Sequence, residues 1–199
     1  MNGIFFYIGL GAGLAAACGL RPYLPALLAG ALGRAEALGV SFSSEHFSFL
    51  QSTWWLLAVA AVLVLVYALQ LRLSEQRFAN FASGVVSAQA IAVGALLFAG
   101  TLDAHGDLWW PGLLGGAAIA ALGGRAVNPV ISRARTRLAD RAAREALTVY
   151  LDGASLLLAG LVALLHPLGY LAIAALAWFA WRGRTRSDAK YAGLRILRR

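Results

Sequence analysis

Charge is absent from five long stretches of this chain, residues 3–20, 46–71, 78–102, 108–124 and 153–181. Such runs cannot form a water-facing surface, whereas about 20 apolar residues cross a bilayer core of about 30 Å. Composition agrees, with 60% of the 199 residues hydrophobic and 13% charged, against roughly 45–50% and about 25% in soluble domains. A soluble globular domain and a disordered chain are excluded, and the single Cys excludes a disulfide scaffold. The last stretch is too long for one helix and contains His166-Pro167 followed by Gly169, which mark a tight turn. The expected fold is an all-α polytopic membrane protein, a single membrane domain over residues 1–199. Its six segments fall at about 3–20, 54–71, 80–102, 110–131, 147–165 and 168–182. Ala15-Ala16-Ala17-Cys18 superficially matches a lipoprotein cleavage site, but no basic residue precedes it, so it is read as part of the first segment.

Sixteen of the 17 basic residues are arginine, and the formal net charge is +8. With six alternating segments, one side collects Arg72 and Arg77, then Arg133, Arg135, Arg137, Arg141 and Arg144, and finally Arg182 with the basic tail 183–199. An excess of arginine marks the cytoplasmic side, which places both termini in the cytoplasm. The other side carries Arg34, Glu36, Glu45, Asp103 and Asp107, with Trp54-Trp55 and Trp109-Trp110 at its interface. Residues 132–146 read as one basic helix with Asp140 and Arg144 spaced i, i+4. Anionic lipid headgroups are the partners this face expects, at about 1 kcal/mol per arginine. With that explanation sufficient, nucleic acid is not an expected partner.

Shifting the chain against itself by 104 residues aligns Gly19-Leu20-Arg21-Pro22-Tyr23-Leu24-Pro25 with Gly123-Gly124-Arg125-Ala126-Val127-Asn128-Pro129. Both read G-x-R-x-x-x-P, each after an Ala/Gly-rich apolar run. With the first copy running outward and the second inward, the pattern predicts a 3+3 inverted-topology repeat, residues 1–102 and 103–186. Pro22, Pro25 and Pro129 remove backbone donors, and Gly19 and Gly123 loosen the chain before them. Breaks are therefore expected in helices 1 and 4, and broken backbone persists in a membrane only where protein or a water-filled cavity satisfies it.

An arginine at such a break costs at least ~2.5–3.5 kcal/mol in lipid, so Arg21 and Arg125 must face a carboxylate, freed carbonyls, water or an anion. Asp152, inside segment 5, is their natural partner, either as a gate or as a structural ion pair. Tyr23 and Asn128, within the two motif copies, are placed to hydrogen-bond a substrate or cap freed backbone. Gln70 and Gln89 read as interhelical hydrogen-bond glue. His46, His105 and His166 carry no metal-ligand spacing, no cofactor motif is present, and no enzyme signature survives. Gly9-x-x-x-Gly13 and Gly112-x-x-x-Gly116 permit close helix packing within the chain or between copies, leaving a homo-oligomer open.

The Gly-Leu-Arg-Pro-Tyr-Leu-Pro motif after an Ala/Gly-rich helix, with Gly115-Gly116, Asp152 and His166-Pro167, resembles an uncharacterised bacterial membrane family, domain of unknown function 4126. Members often carry an acidic residue near the end of the second segment, where this chain reads Tyr67-Ala68-Leu69-Gln70-Leu71-Arg72. The resemblance implies a small polytopic inner-membrane protein. More distantly, the motif is similar to the Gly-Arg-Phe-x-Pro re-entrant motif of polyprenyl-phosphate flippases. The expected function is a small transporter or flippase for a phosphate-bearing lipid or small anion, bound by Arg21 and Arg125. The alternative is a non-transporting scaffold or accessory subunit acting through helix packing.

Overall fold

The computed structural model describes residues 3–72, 75–138 and 140–192. Among them are seven α-helices: α1 (Ile4–Leu20), α2 (Tyr23–Arg34), α3 (Thr53–Arg72), α4 (Glu75–Asp103), α5 (Trp109–Arg137), α6 (Arg141–Leu164) and α7 (Leu168–Ala192). Stretches of α3, α4, α5 and α6 are long and apolar enough to cross a membrane, which fits a polytopic membrane protein. Helix α3 makes the point most plainly. Only Val59 is buried along it, while Leu57, Val64, Leu65 and Leu71 lie exposed. A helix apolar on all sides, with one face barely covered, needs an apolar solvent on the others.

The glycine contacts fix the direction of each helix. Gly112 packs on Ala99, Gly116 on Ala95 and Gly94 on Ala120, so α4 and α5 are antiparallel. Gly11 meets Phe98 and Gly94 meets Ala15, so α1 is also antiparallel to α4 and runs parallel to α5. Its first turn sits at the α6–α7 turn, where Gly9 lies against His166 and Phe5 stacks on Tyr170 at 4.6 Å. Helix α2 then returns to the same end. Gly30 packs on Leu50 and Leu56, Gly33 on Phe42, and Arg34 donates to Thr53 Oγ1. Helices α1 and α2 therefore form a hairpin that enters and leaves at the tryptophan end, opposite the end where α3 stops at Arg72 and α6 begins at Arg141.

Three expectations are corrected by this geometry. The two G-x-R-x-x-x-P copies run in the same direction, not opposite ones, so they do not form an inverted pair. The beginning of α1 and the end of α7 lie at opposite ends of the bundle, not on the common side expected of the first and last segments. And α5 is continuous from Trp109 to Arg137 with Pro129 inside it, so Gly123 and Pro129 mark no break. The local reason is legible. Pro22 forces the residue before it out of the helical region, and Arg21 is extended at φ −154°, ψ 125°. Pro25 sits in the first turn of α2, where its missing N–H removes no helical bond. The position aligned with Pro22 in the second copy is Ala126, so nothing expels Arg125 from the helix.

A fourth correction concerns residues 132–146. They are not one helix, because Asp140 accepts from the Ala142 N–H at 3.2 Å and starts α6. Both GxxxG pairs pack within the chain, Gly112 and Gly116 on α4 and Gly9 and Gly13 on the α6–α7 turn region. Buried Leu10, Leu14, Phe42, Leu50, Leu97 and Val162 form the main core, nearer the tryptophan end. The direction of α1 has a direct check. With Cys18→Ala as background, an impermeant maleimide applied to one face of oriented vesicles labels Gly3→Cys and Glu45→Cys together and Arg137→Cys only from the other face. Co-labelling of Gly3→Cys with Arg137→Cys would overturn the hairpin.

Candidate functional site

The hairpin turn delivers a charge into the bundle. Because Pro22 leaves Arg21 extended, its side chain projects away from α1 and reaches Asp152 near the middle of α6, Nε to Oδ1 at 3.7 Å. The two side chains are 15% and 6% exposed. Tyr67 on α3 donates to the second carboxylate oxygen, Oδ2. The first, Oδ1, is buried and accepts no hydrogen bond. Its compensation is therefore Coulombic, from one edge of the guanidinium, without the bidentate geometry that makes arginine–carboxylate pairs strong. Among the described residues the Arg21 Nη groups make no hydrogen bond. A guanidinium carries five N–H donors, so this one retains capacity for a second anion.

Polar side chains extend from the pair in two directions. One turn before Asp152, Thr148 accepts from Arg135 Nη2 at 2.8 Å and from Gln70 Nε2 at 3.4 Å. Tyr67 and Gln70, spaced i, i+3 on α3, thus address Asp152 and Thr148, spaced i, i+4 on α6. Beside them a recess of about 180 Å³ lies between α3 and α6, lined by Tyr67, Gln70, Leu71, Glu145 and Val149. It lies on the arginine-rich side of Asp152, and its volume holds several waters. On the other flank, buried Tyr23 donates to Gln89 Oε1 at 2.5 Å, tying α2 to α4.

The second motif copy sits elsewhere. Arg125, Asn128 and Pro129 line a groove of about 390 Å³ between α1, α4 and α5, together with Gly19, Leu20, Ser87 and Ala120. Arg21 does not line that groove. The two arginines therefore do not converge on one anion, a correction to the shared site. What the copies share is a crossing point: a Cβ added to Gly19 would lie 3.1 Å from the Gly123 Cα and 2.6 Å from the Ala120 carbonyl oxygen. The last turn of α1 separates two neighbouring stations.

Of the expected residues, Arg21 and Asp152 are thus in direct contact, Tyr23 is bound to Gln89, and Arg125 with Asn128 forms a separate groove. Sequence reasoning missed Tyr67 and Thr148. Tyr67 stands in the stretch where the resembled family often has an acid, the one signal that pointed to it. A family model described as a domain of unknown function matches residues 8–186. No curated protein and no solved structure matches the chain.

Proposed function

The chain belongs to the DUF4126 family, and we propose that it works as a small membrane transporter or flippase for an anionic substrate. The observation that carries this reading is the Arg21–Asp152 pair, a half-buried cation with free Nη donors held by a single-edged contact to its buried counter-ion. It stands at the apex of a hairpin that turns back inside the bundle, the arrangement of a re-entrant element. Ionisable groups within a membrane are costly, and a pair at such a turn is where carriers place substrate and ion sites.

The physical cycle follows from competition. Asp152 neutralises Arg21 when the site is empty. An anion arriving at the Nη edge, together with a proton taken up by Asp152, takes over that role and releases Arg21 to it. Net charge in the low-dielectric interior stays near zero in either state, which keeps both accessible. By arginine count, the end with Arg72, Arg137 and Arg141 faces the cytoplasm.

The parallel repeat is part of the proposal. Gly19 touches Ala120 and Gly123 touches Ala16, pairs that exchange under the 104-residue shift. Such reciprocal contacts are what a pseudo-two-fold axis along the bundle produces. Gly11 and Gly115, equivalent under the same shift, both meet the Phe98 ring. The scaffold reading draws on the tight glycine crossings alone and gives the free Nη donors no purpose.

Purified protein in proteoliposomes tests the proposal, with phosphate uptake and fluorescent-lipid scrambling measured in parallel. Wild type is expected to exceed empty vesicles in one of the two assays, with Arg21→Ala reduced about tenfold or more. Equal rates for wild type, Arg21→Ala and Arg125→Ala would leave the scaffold reading in its place.

A further inference from the structure

The groove between α1, α4 and α5 has two kinds of wall. Toward the tryptophan end it is lined by Leu20, Ala90, Ile91, Ala120 and Ala121. Toward the arginine-rich end it carries three polar side chains, Ser87 on α4 and Arg125 and Asn128 on α5, with Val86 and Pro129 beside them. Arg125 and Asn128 are exposed, and Arg125 has no ion pair or hydrogen bond among the described residues. At ~1.5 Å per residue, Arg125 stands ~18 Å along α5 from Arg137 and ~24 Å from Trp109. If the tryptophans mark one edge of a ~30 Å hydrocarbon slab, Arg125 lies just inside the other, within reach of the headgroup layer by its own side chain.

We infer that this groove is a binding site for a single anionic phospholipid, with the phosphodiester on Arg125, Asn128 and Ser87 and an acyl chain along the Ala90–Ala120 wall. Charge complementarity selects the headgroup: one unpaired guanidinium matches one phosphate of net charge −1. Shape selects a lipid over a free anion. The polar groups occupy one end only, and a volume of about 390 Å³ with an otherwise apolar lining leaves most of the site without purpose for inorganic phosphate. The small residues Ala121 and Gly124 keep the floor open, and a larger side chain at Ala121 would fill the chain's path. The groove is separate from the Arg21–Asp152 pair but shares with it the last turn of α1, so occupancy there bears on the hairpin apex.

This inference deepens the transport reading by naming a lipid as the ligand class, and its test stands apart from transport. The delipidated protein is titrated in detergent with phosphatidylglycerol, phosphatidylcholine or inorganic phosphate and read by native mass spectrometry. One phosphatidylglycerol is expected to be retained per chain, about tenfold more tightly than phosphatidylcholine, and millimolar inorganic phosphate does not displace it. Arg125→Gln lowers retention about tenfold. Ala121→Trp, which leaves the charges in place, does the same by filling the apolar wall, while Arg137→Gln leaves retention unchanged.

Equal losses from Arg125→Gln and Arg137→Gln would show diffuse surface attraction and overturn the site. Displacement by inorganic phosphate would overturn the lipid assignment. Retention of one lipid with no transport in vesicles would defeat the transport reading and leave the groove standing; phosphate uptake with no retained lipid would do the reverse.

Discussion

Asp152→Ala destabilises the bundle by about 3–5 kcal/mol, the cost of stranding one charge of a buried pair. Arg21 would then face Tyr67 and apolar helix with no carboxylate at 3.7 Å, in a position where a lone arginine is already expensive. Thermal unfolding in detergent reads this as a lowered midpoint. The double variant Arg21→Met/Asp152→Leu recovers most of the loss, because an apolar pair of similar volume is often as stable as the ions it replaces. That recovery separates the fold from the function. A single Asp152→Ala variant as stable as wild type would show that Arg21 finds another partner.

Gly169→Ala is the second large effect. A Cβ there would lie 1.8 Å from the Gly9 carbonyl oxygen and 3.0 Å from the Gly13 nitrogen, backbone atoms that cannot rotate away. Helices α1 and α7 would have to separate, at about 1–3 kcal/mol or more. Gly153→Ala is the matched control: nothing lies within 4 Å of its added Cβ, and removing a glycine from a helix interior stabilises it by up to ~1 kcal/mol. The unfolding midpoint should fall for the first and hold or rise for the second. Equal behaviour would mean that α1 and α7 are not in backbone contact at this point.

The spans were largely legible because hydropathy and charge decide them. Residues 54–71 and 80–102 fall inside α3 and α4, and 147–165 runs one residue past the end of α6. The path of α1 was not legible from the same quantities. An apolar run reads identically in both directions, and the 17 residues of α1 look like an outward span. The missed signal was the lack of any basic residue between Met1 and Leu10, so that nothing anchored that end to the arginine side. The second was the apolar run Tyr23–Gly33 after Pro22, long enough to carry the chain back.

The repeat misled for a similar reason. Identity at Gly, Arg and Pro suggested equal backbone behaviour, yet the bend depends on Pro22, which the second copy lacks. The charge pair was legible because a carboxylate inside a span requires a cation, and Arg21 was one of two on offer. Tyr67 was not, since a tyrosine near a helix end is an ordinary interfacial residue until its partner is known. Gln89 and Tyr23 each offer hydrogen-bonding groups in the sequence; only the hairpin brings them together.

Under the transport reading proposed above, the Arg21–Asp152 charges at the hairpin apex serve substrate movement and not the fold. The most direct measurement is anion uptake and lipid scrambling by Arg21→Met/Asp152→Leu in proteoliposomes, after its unfolding midpoint and monodispersity have been matched to wild type. A folded protein whose rate falls to that of empty vesicles, while wild type remains active, is the predicted result. A folded double variant that moves substrate as fast as wild type would overturn the assignment of the pair to transport.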